Sequence, residues 1–321
     1  MMSPVSLLAH LGTLPTHPLA DDVDLARVGA YRGYREVIAT LAELAASPGA
    51  SARSIGSSVR EVPLFALELG AADAPVATAI IAGLHPLEWI GVETALALLA
   101  RLCARPPADR RIVAIPLVNV DGFQTVEADL RAGRRRFRRG NARGVDLNRN
   151  FPTHFRPAAP HGLRAALGGW NHGGPSALSE PECAAVVATL DTVSTRSRID
   201  HALSLHSIGR MILTPWGGRL RRPEAAPRLA AAAESVRARL PGYRAVQSSW
   251  WVPGLRGHGM ELDHLYAAYD ATALLVECTG GGATLREPRS LVHPFRWFNP
   301  PDPARHAGQL AGALEPFVRG L

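Results

Sequence analysis

Apolar positions along the chain follow two rhythms. Short continuous runs suit buried strands, and longer stretches with apolar residues three or four apart suit helices. The run Ala79-Ile80-Ile81-Ala82 ends at Gly83, and a second apolar stretch runs from Trp89 to Leu99. This pattern predicts a strand over 77–82, a turn, and a helix over 89–102. Upstream, Tyr31, Tyr34, Val37 and Leu41 recur at helical spacing before Ser47-Pro48-Gly49, so a helix is expected within 21–46. Residues 61–69 alternate as a strand, and Gly70 to Pro75 reads as a turn. A buried strand runs from Arg111 to Val118 and ends at Asn119-Val120-Asp121-Gly122, a loop signal. Residues 153–175, rich in Gly, Pro and His, read as loop. Ser179-Glu180-Pro181-Glu182 opens a helix to about Leu190, with Ser at the cap and Pro just inside. Residues 201–209 form a strand that ends at His206, and 223–239 and 260–270 are helical. A buried strand from Thr272 to Val276 leads into Glu277, and a last helix runs from about Ala304 to Leu314, where Pro316 limits it.

Composition narrows the class. Of 321 residues, 47% are apolar, enough for a sizeable core, and no apolar stretch is long enough to span a bilayer. The first twenty residues carry no Lys or Arg and are interrupted by His10 and Pro15, which argues against a secretory signal. Cys103, Cys183 and Cys278 are far apart and form neither a metal knuckle nor a disulfide framework, so the cytoplasm is the expected compartment. The net charge of +7 is carried by arginine alone. The dense run Arg131 to Arg143 reads as a solvated loop, with a phosphate-binding patch as the alternative. It holds one aromatic residue, Phe137, and no nucleic-acid-binding pattern surrounds it. Neither a nucleic-acid nor a membrane partner is expected.

The candidate chemistry sits at strand ends, where open α/β sheets bind ligands. His85 and Glu88 follow the strand over 77–82, His206 ends another, and Glu277 ends a third. Neutral imidazole and carboxylate can share a zinc shell. A carboxylate at the end of a buried strand is costly unless it is paired or used.

The stretches GLHPLEWIG, NVDGF, FRRGN, GVDLNRNFP, SEPE, SLHSIG with the downstream TPWG, and LLVECTGG occur in that order over roughly residues 55–285. As an ordered set they resemble the M14 (carboxypeptidase A-like) zinc metallocarboxypeptidases. The resemblance implies a single α/β domain: a mixed, mostly parallel eight-stranded sheet with helices on both faces. Residues 1–54 would be an N-terminal helical segment packed on a catalytic domain of residues 55–321. It implies one zinc ion per chain, held by His85, Glu88 and His206 with water in the fourth position, and Glu277 as general base. Arg138 matches the arginine that stabilises the oxyanion, with Arg139 its neighbour in register. Asn148 and Arg149 match the pair that binds a substrate's terminal carboxylate. The family's substrate-capping Tyr falls at Leu255, where WWVPGLRGHGM offers Arg256 and His258 but no Tyr. Leu262 falls at the position associated with side-chain specificity and favours a neutral or apolar terminal residue. The implied activity is hydrolysis of the C-terminal bond of peptides with a free carboxylate. The alternatives are an amidase or deacylase on small peptides such as murein peptides, and an inactive member serving as a binding module.

Overall fold

The computed structural model describes residues 6–14, 30–157, 172–252, 254, 256–282 and 288–321. Among these described residues there are eight strands: β1 Ala50–Ser57, β2 Pro63–Leu69, β3 Val76–Ala82, β4 Arg110–Ile115, β5 Arg198–His206, β6 Met211–Thr214, β7 Arg244–Gln247 and β8 Thr272–Glu277. They form one sheet in the order β1-β2-β4-β3-β5-β8-β6-β7. The pairs β3/β4, β3/β5, β5/β8 and β6/β7 are parallel. The pairs β1/β2, β2/β4 and β6/β8 are antiparallel. This is the mixed, mostly parallel sheet expected.

The main helices are α1 Leu7–Thr13, α2 Tyr34–Ala45, α3 Trp89–Ala104, α4 Val120–Arg131, α5 Pro181–Ser194, α6 Ala226–Arg237, α7 Glu261–Tyr269 and α8 Pro303–Val318. Alternation along β5 shows that they cover both faces. His201 meets Phe317 of α8, whereas Ser204 bonds to Glu261 of α7. Residues three apart on a strand point to opposite faces. Central strands buried on both sides carry no polar alternation, which is why Ala273 to Val276 and Ala79 to Ala82 read as continuous apolar runs. Trp89 at the start of α3 stacks on Phe123 with ring centroids 4.1 Å apart and meets Phe295 edge-on at 5.2 Å. Each such pair contributes about 0.5–1.5 kcal/mol beyond area burial, so the helix start beside Glu88 is firmly seated.

Several elements depart from expectation. Asn119-Val120-Asp121-Gly122 is the start of α4: the Asn119 side chain accepts from the Gly122 N–H at 2.9 Å and so caps the helix. The residue preceding α5 is Glu180, with Pro181 as its first helical residue, while the Ser179 hydroxyl donates to the Glu180 carboxylate. α8 continues through Pro316, because Phe317 and Val318 are buried and the Val318 carbonyl accepts from Thr78 Oγ1 at 2.8 Å. The proposed division between residues 54 and 55 falls inside β1, which is joined to β2 along its length. Part of the loop expected over 153–175 lies outside the described residues. Among the described residues, no helix is long and apolar enough to cross a membrane.

Candidate active site

After β3 the chain turns through His85 to Glu88, closed by the Glu88 N–H to the His85 carbonyl at 3.2 Å. Two buried amides hold this turn. Asn119 donates to the Leu84 carbonyl at 3.1 Å. Asn299 accepts from the Ile90 N–H at 3.0 Å and donates to the Leu87 carbonyl at 2.6 Å. On the first turn of α3, a Cβ at Gly91 would lie 2.8 Å from the Leu205 carbonyl oxygen. Glycine therefore lets α3 approach β5 closely enough to bring Glu88 to His206.

The three expected ligands converge. His85 Nδ1 is 2.8 Å from Glu88 Oε1, His206 Nδ1 is 2.9 Å from Glu88 Oε2, and the two Nδ1 atoms are 3.2 Å apart. A tetrahedral shell with bonds near 2.0 Å sets its donors about 3.3 Å apart, so this set fits zinc with one position left open. All three residues are buried, and they form the one such group among the described residues. The outer ring atoms are held as well. His85 Nε2 is 3.0 Å from Asp146 Oδ1, and His206 Nε2 is 3.0 Å from Glu261 Oε1. With each Nε2–H donating to a carboxylate, each Nδ1 keeps its lone pair for a metal. Burial opposes ionisation of Glu88, yet the two imidazoles hold its carboxyl well below the usual range. Burial likewise opposes ionisation of Asp146, and Arg139 and His85 overcome it.

Glu277 pairs with His206 in the parallel β5/β8 register, and the Cys278 N–H donates to the His206 carbonyl at 2.8 Å. The base candidate and the third ligand are thus neighbours in the sheet. Glu277 lines the same cavity as the ligands, and its Oε2 is buried with no hydrogen-bond partner among the described residues. Burial, reinforced by the charge of Glu88, pushes its carboxyl up to about 8.

Arg138 is directed elsewhere: its Nε donates to Asp129 at 2.8 Å, and it does not line the cavity. Arg139 does line it, with its Nε 2.6 Å from Asp146 Oδ2. Asn148 and Arg149 are both on the wall. Behind them a Cβ at Gly259, whose φ is +66°, would lie 2.3 Å from the Arg149 carbonyl oxygen, so the chain passes there only as glycine. Leu262 is fully buried inside α7 and is not on the cavity wall; Met260, two residues earlier, is. Arg256 is exposed and also absent from the wall, and Leu255 lies outside the described residues. Leu213, Leu275, Met260, Val252 and Trp251 are among the cavity's apolar lining residues, the last two exposed. The sequence alone assigns no role to Asp146, Glu261 or Asn299. Asp146 sits inside GVDLNRNFP, and Glu261 is an acid flanked by apolar residues in GMELDHL, the signal that drew attention to Glu277.

A His, Glu, His donor set at the carboxyl ends of the strands of an open α/β sheet is a site suited to a single zinc ion. The profile of the zinc carboxypeptidase (peptidase M14) family matches residues 37–271, and the chain belongs to that family. Glu277 lies just beyond the matched span. Mouse carboxypeptidase A2 is 27% identical over 210 residues, which cover 61% of this chain and 49% of that protein. Human carboxypeptidase O is 32% identical over 106 residues, 32% of this chain and 27% of that protein. The chain therefore spans about half the length, or less, of these curated relatives. Bovine thrombin-activatable fibrinolysis inhibitor, solved in complex with tick carboxypeptidase inhibitor, matches with a TM-score of 0.68 at 20% identity, over 88% of this chain and 95% of that one. Carboxypeptidase A from Helicoverpa armigera matches with a TM-score of 0.67 at 20% identity, over 95% of this chain and 77% of that one. These two likenesses share the fold.

Proposed function

We propose that the protein is a zinc-dependent carboxypeptidase that hydrolyses the C-terminal bond of peptides bearing a free carboxylate. One observation carries this reading: the His85, Glu88 and His206 donor set, Glu277, Arg139, Asn148 and Arg149 share a single cavity. Its volume of about 230 Å³ suits one terminal residue rather than a large ligand.

His85, Glu88 and His206 would hold the zinc. The chemistry zinc supplies when bound is polarisation of the scissile carbonyl and acidification of a water toward a pKa of about 7. Glu277 accepts a proton from the attacking water and returns it to the leaving amine. The Arg139 guanidinium, held by Asp146, stabilises the charge that develops on the carbonyl oxygen. Asn148 and Arg149 take the terminal carboxylate, for which a planar guanidinium is suited by its paired donors. Burial and the nearby charge of Arg139 both lower the pKa of Arg149. A substrate anion between the two cations relieves that repulsion. Leu213, Leu275 and Met260 favour an apolar terminal side chain.

The test compares matched free-acid and amidated peptides, read by mass for loss of the last residue. The free acids should be cleaved faster. Arg149→Ala should cost about one to two powers of ten in kcat/KM on the free acids, as expected from losing a charge-assisted hydrogen bond of roughly 1.5–3 kcal/mol. Equal cleavage of acids and amides by the wild type would overturn the carboxypeptidase reading in favour of an amidase.

A further inference from the structure

We propose that Glu261 is a positioning residue for the metal ligand His206, doing for that ring what Asp146 does for His85. The inference rests on the zinc-site reading above. Glu261 is the first residue of α7 and is completely buried. Its Oε1 lies 3.0 Å from His206 Nε2 and also accepts from the Ser204 hydroxyl. Its backbone N–H donates to Asn148 Oδ1 at 3.1 Å, which fixes the start of the helix against the cavity wall. A carboxylate without solvent is costly unless paired. Among the described residues the groups bonded to this side chain are one hydroxyl and one imidazole, so the carboxylate is held by the Ser204 O–H and by the His206 ring N–H.

The ring nitrogens divide the work. His206 Nδ1 faces Glu88 and His85 Nδ1, where the donors converge. A neutral imidazole carries one proton. With the Nδ1 lone pair reserved for metal, that proton sits on Nε2 and is donated to Glu261. The carboxylate then locks the tautomer, fixes the ring plane and strengthens the nitrogen as a ligand. Charge counting agrees. Zinc with Glu88 leaves one positive charge, and Asp146 is already shared with Arg139. Glu261 supplies a further negative charge one imidazole away from the metal.

The experiment measures zinc dissociation constants by competition with a chromophoric chelator, together with thermal midpoints of the metal-free proteins. Glu261→Gln keeps shape and an acceptor but removes the charge. It should bind zinc about 10–100-fold more weakly than wild type, the usual cost of losing such a partner. A metal-free midpoint close to wild type would separate this from a folding defect. A second measurement uses the wild type alone: imidazole nitrogen NMR of the zinc-loaded protein should show His206 ligated through Nδ1 with a protected Nε2–H. Ligation through Nε2, or a Glu261→Gln protein that binds zinc as tightly as wild type, would overturn the role. A wild type that binds no zinc would instead overturn the metal site itself, and the role with it.

Discussion

Two buried carboxylates that line the same cavity are shifted in opposite directions. Glu88 is held ionised by His85 and His206, whereas Glu277 is pushed up to about 8 by burial and by the charge of Glu88. Glu277→Gln should retain zinc and lose about 10²–10⁴-fold in turnover, measured on a peptide substrate. The same shift has a stability consequence in the metal-free protein. A carboxyl whose folded pKa is raised binds more protons folded than unfolded between about 4.3 and the folded value near 8, so its contribution to stability falls as pH rises through that window. Metal-free Glu277→Gln should therefore melt above metal-free wild type at pH 8 and close to it near pH 4; a constant difference between the two would show that Glu277 does not titrate there. For the oxyanion arginine, the neighbours are separable. Arg139→Ala should cost about 10²–10³ in kcat, the usual cost of a lost oxyanion donor. Arg138→Ala removes a partly exposed pair with Asp129, worth about 0–1 kcal/mol of stability, and should leave kcat within a few-fold. The reverse ranking would return the role to Arg138.

At the scale of elements, α3 and the strands around it do most to build the site, and they show what the sequence could reveal. β3, β8 and α3 are legible because their apolar residues run nearly unbroken, and β5 because its apolar positions stop at His206. The ligands were legible because they stand where those runs stop. β6 and β7 were not anticipated: each is four residues long, too short for a period to register. α4 was hidden by Asn119 and Gly122, which signal a turn in isolation and serve here as a cap. Pro316 looked like a stop because the pull of the buried Phe317 and Val318 on the helix end is a tertiary effect. Arg138 and Arg139 are indistinguishable in a run of arginines until Asp129 and Asp146 are located in space. Gly91 offers a contest of magnitudes. Helix propensity alone predicts that Gly91→Ala gains about 1 kcal/mol. The 2.8 Å approach of its Cβ to the Leu205 carbonyl predicts a loss of about 1–3 kcal/mol from overpacking. Because the opposing atom is backbone, the loss should win. A chemical denaturation midpoint below wild type, with weakened zinc binding, is the expected result; a midpoint above it would mean that α3 can shift without cost.

For the molecule as a whole, zinc would tie together residues that lie far apart in the chain, since His85 and Glu88 come from the turn after β3 and His206 from the end of β5. Anything bound to the folded state alone stabilises it by mass action, by about 4 kcal/mol at a free concentration a thousand times the dissociation constant. Stripping the metal with a chelator should therefore lower the thermal midpoint, and restoring zinc should recover it; a midpoint indifferent to both would argue against a preformed site. β8 enters the sheet between β5 and β6, although it follows both in sequence. Until that strand is in place, His206 lacks its cross-strand partner, and Glu277 has no cavity to line. A chain growing on the ribosome can gather its ligands early, but it cannot acquire its base before residue 277 has emerged and slid into the gap. A copy interrupted after His206 and before Glu277 would lack the proton acceptor that the proposed reaction needs, whatever metal it held.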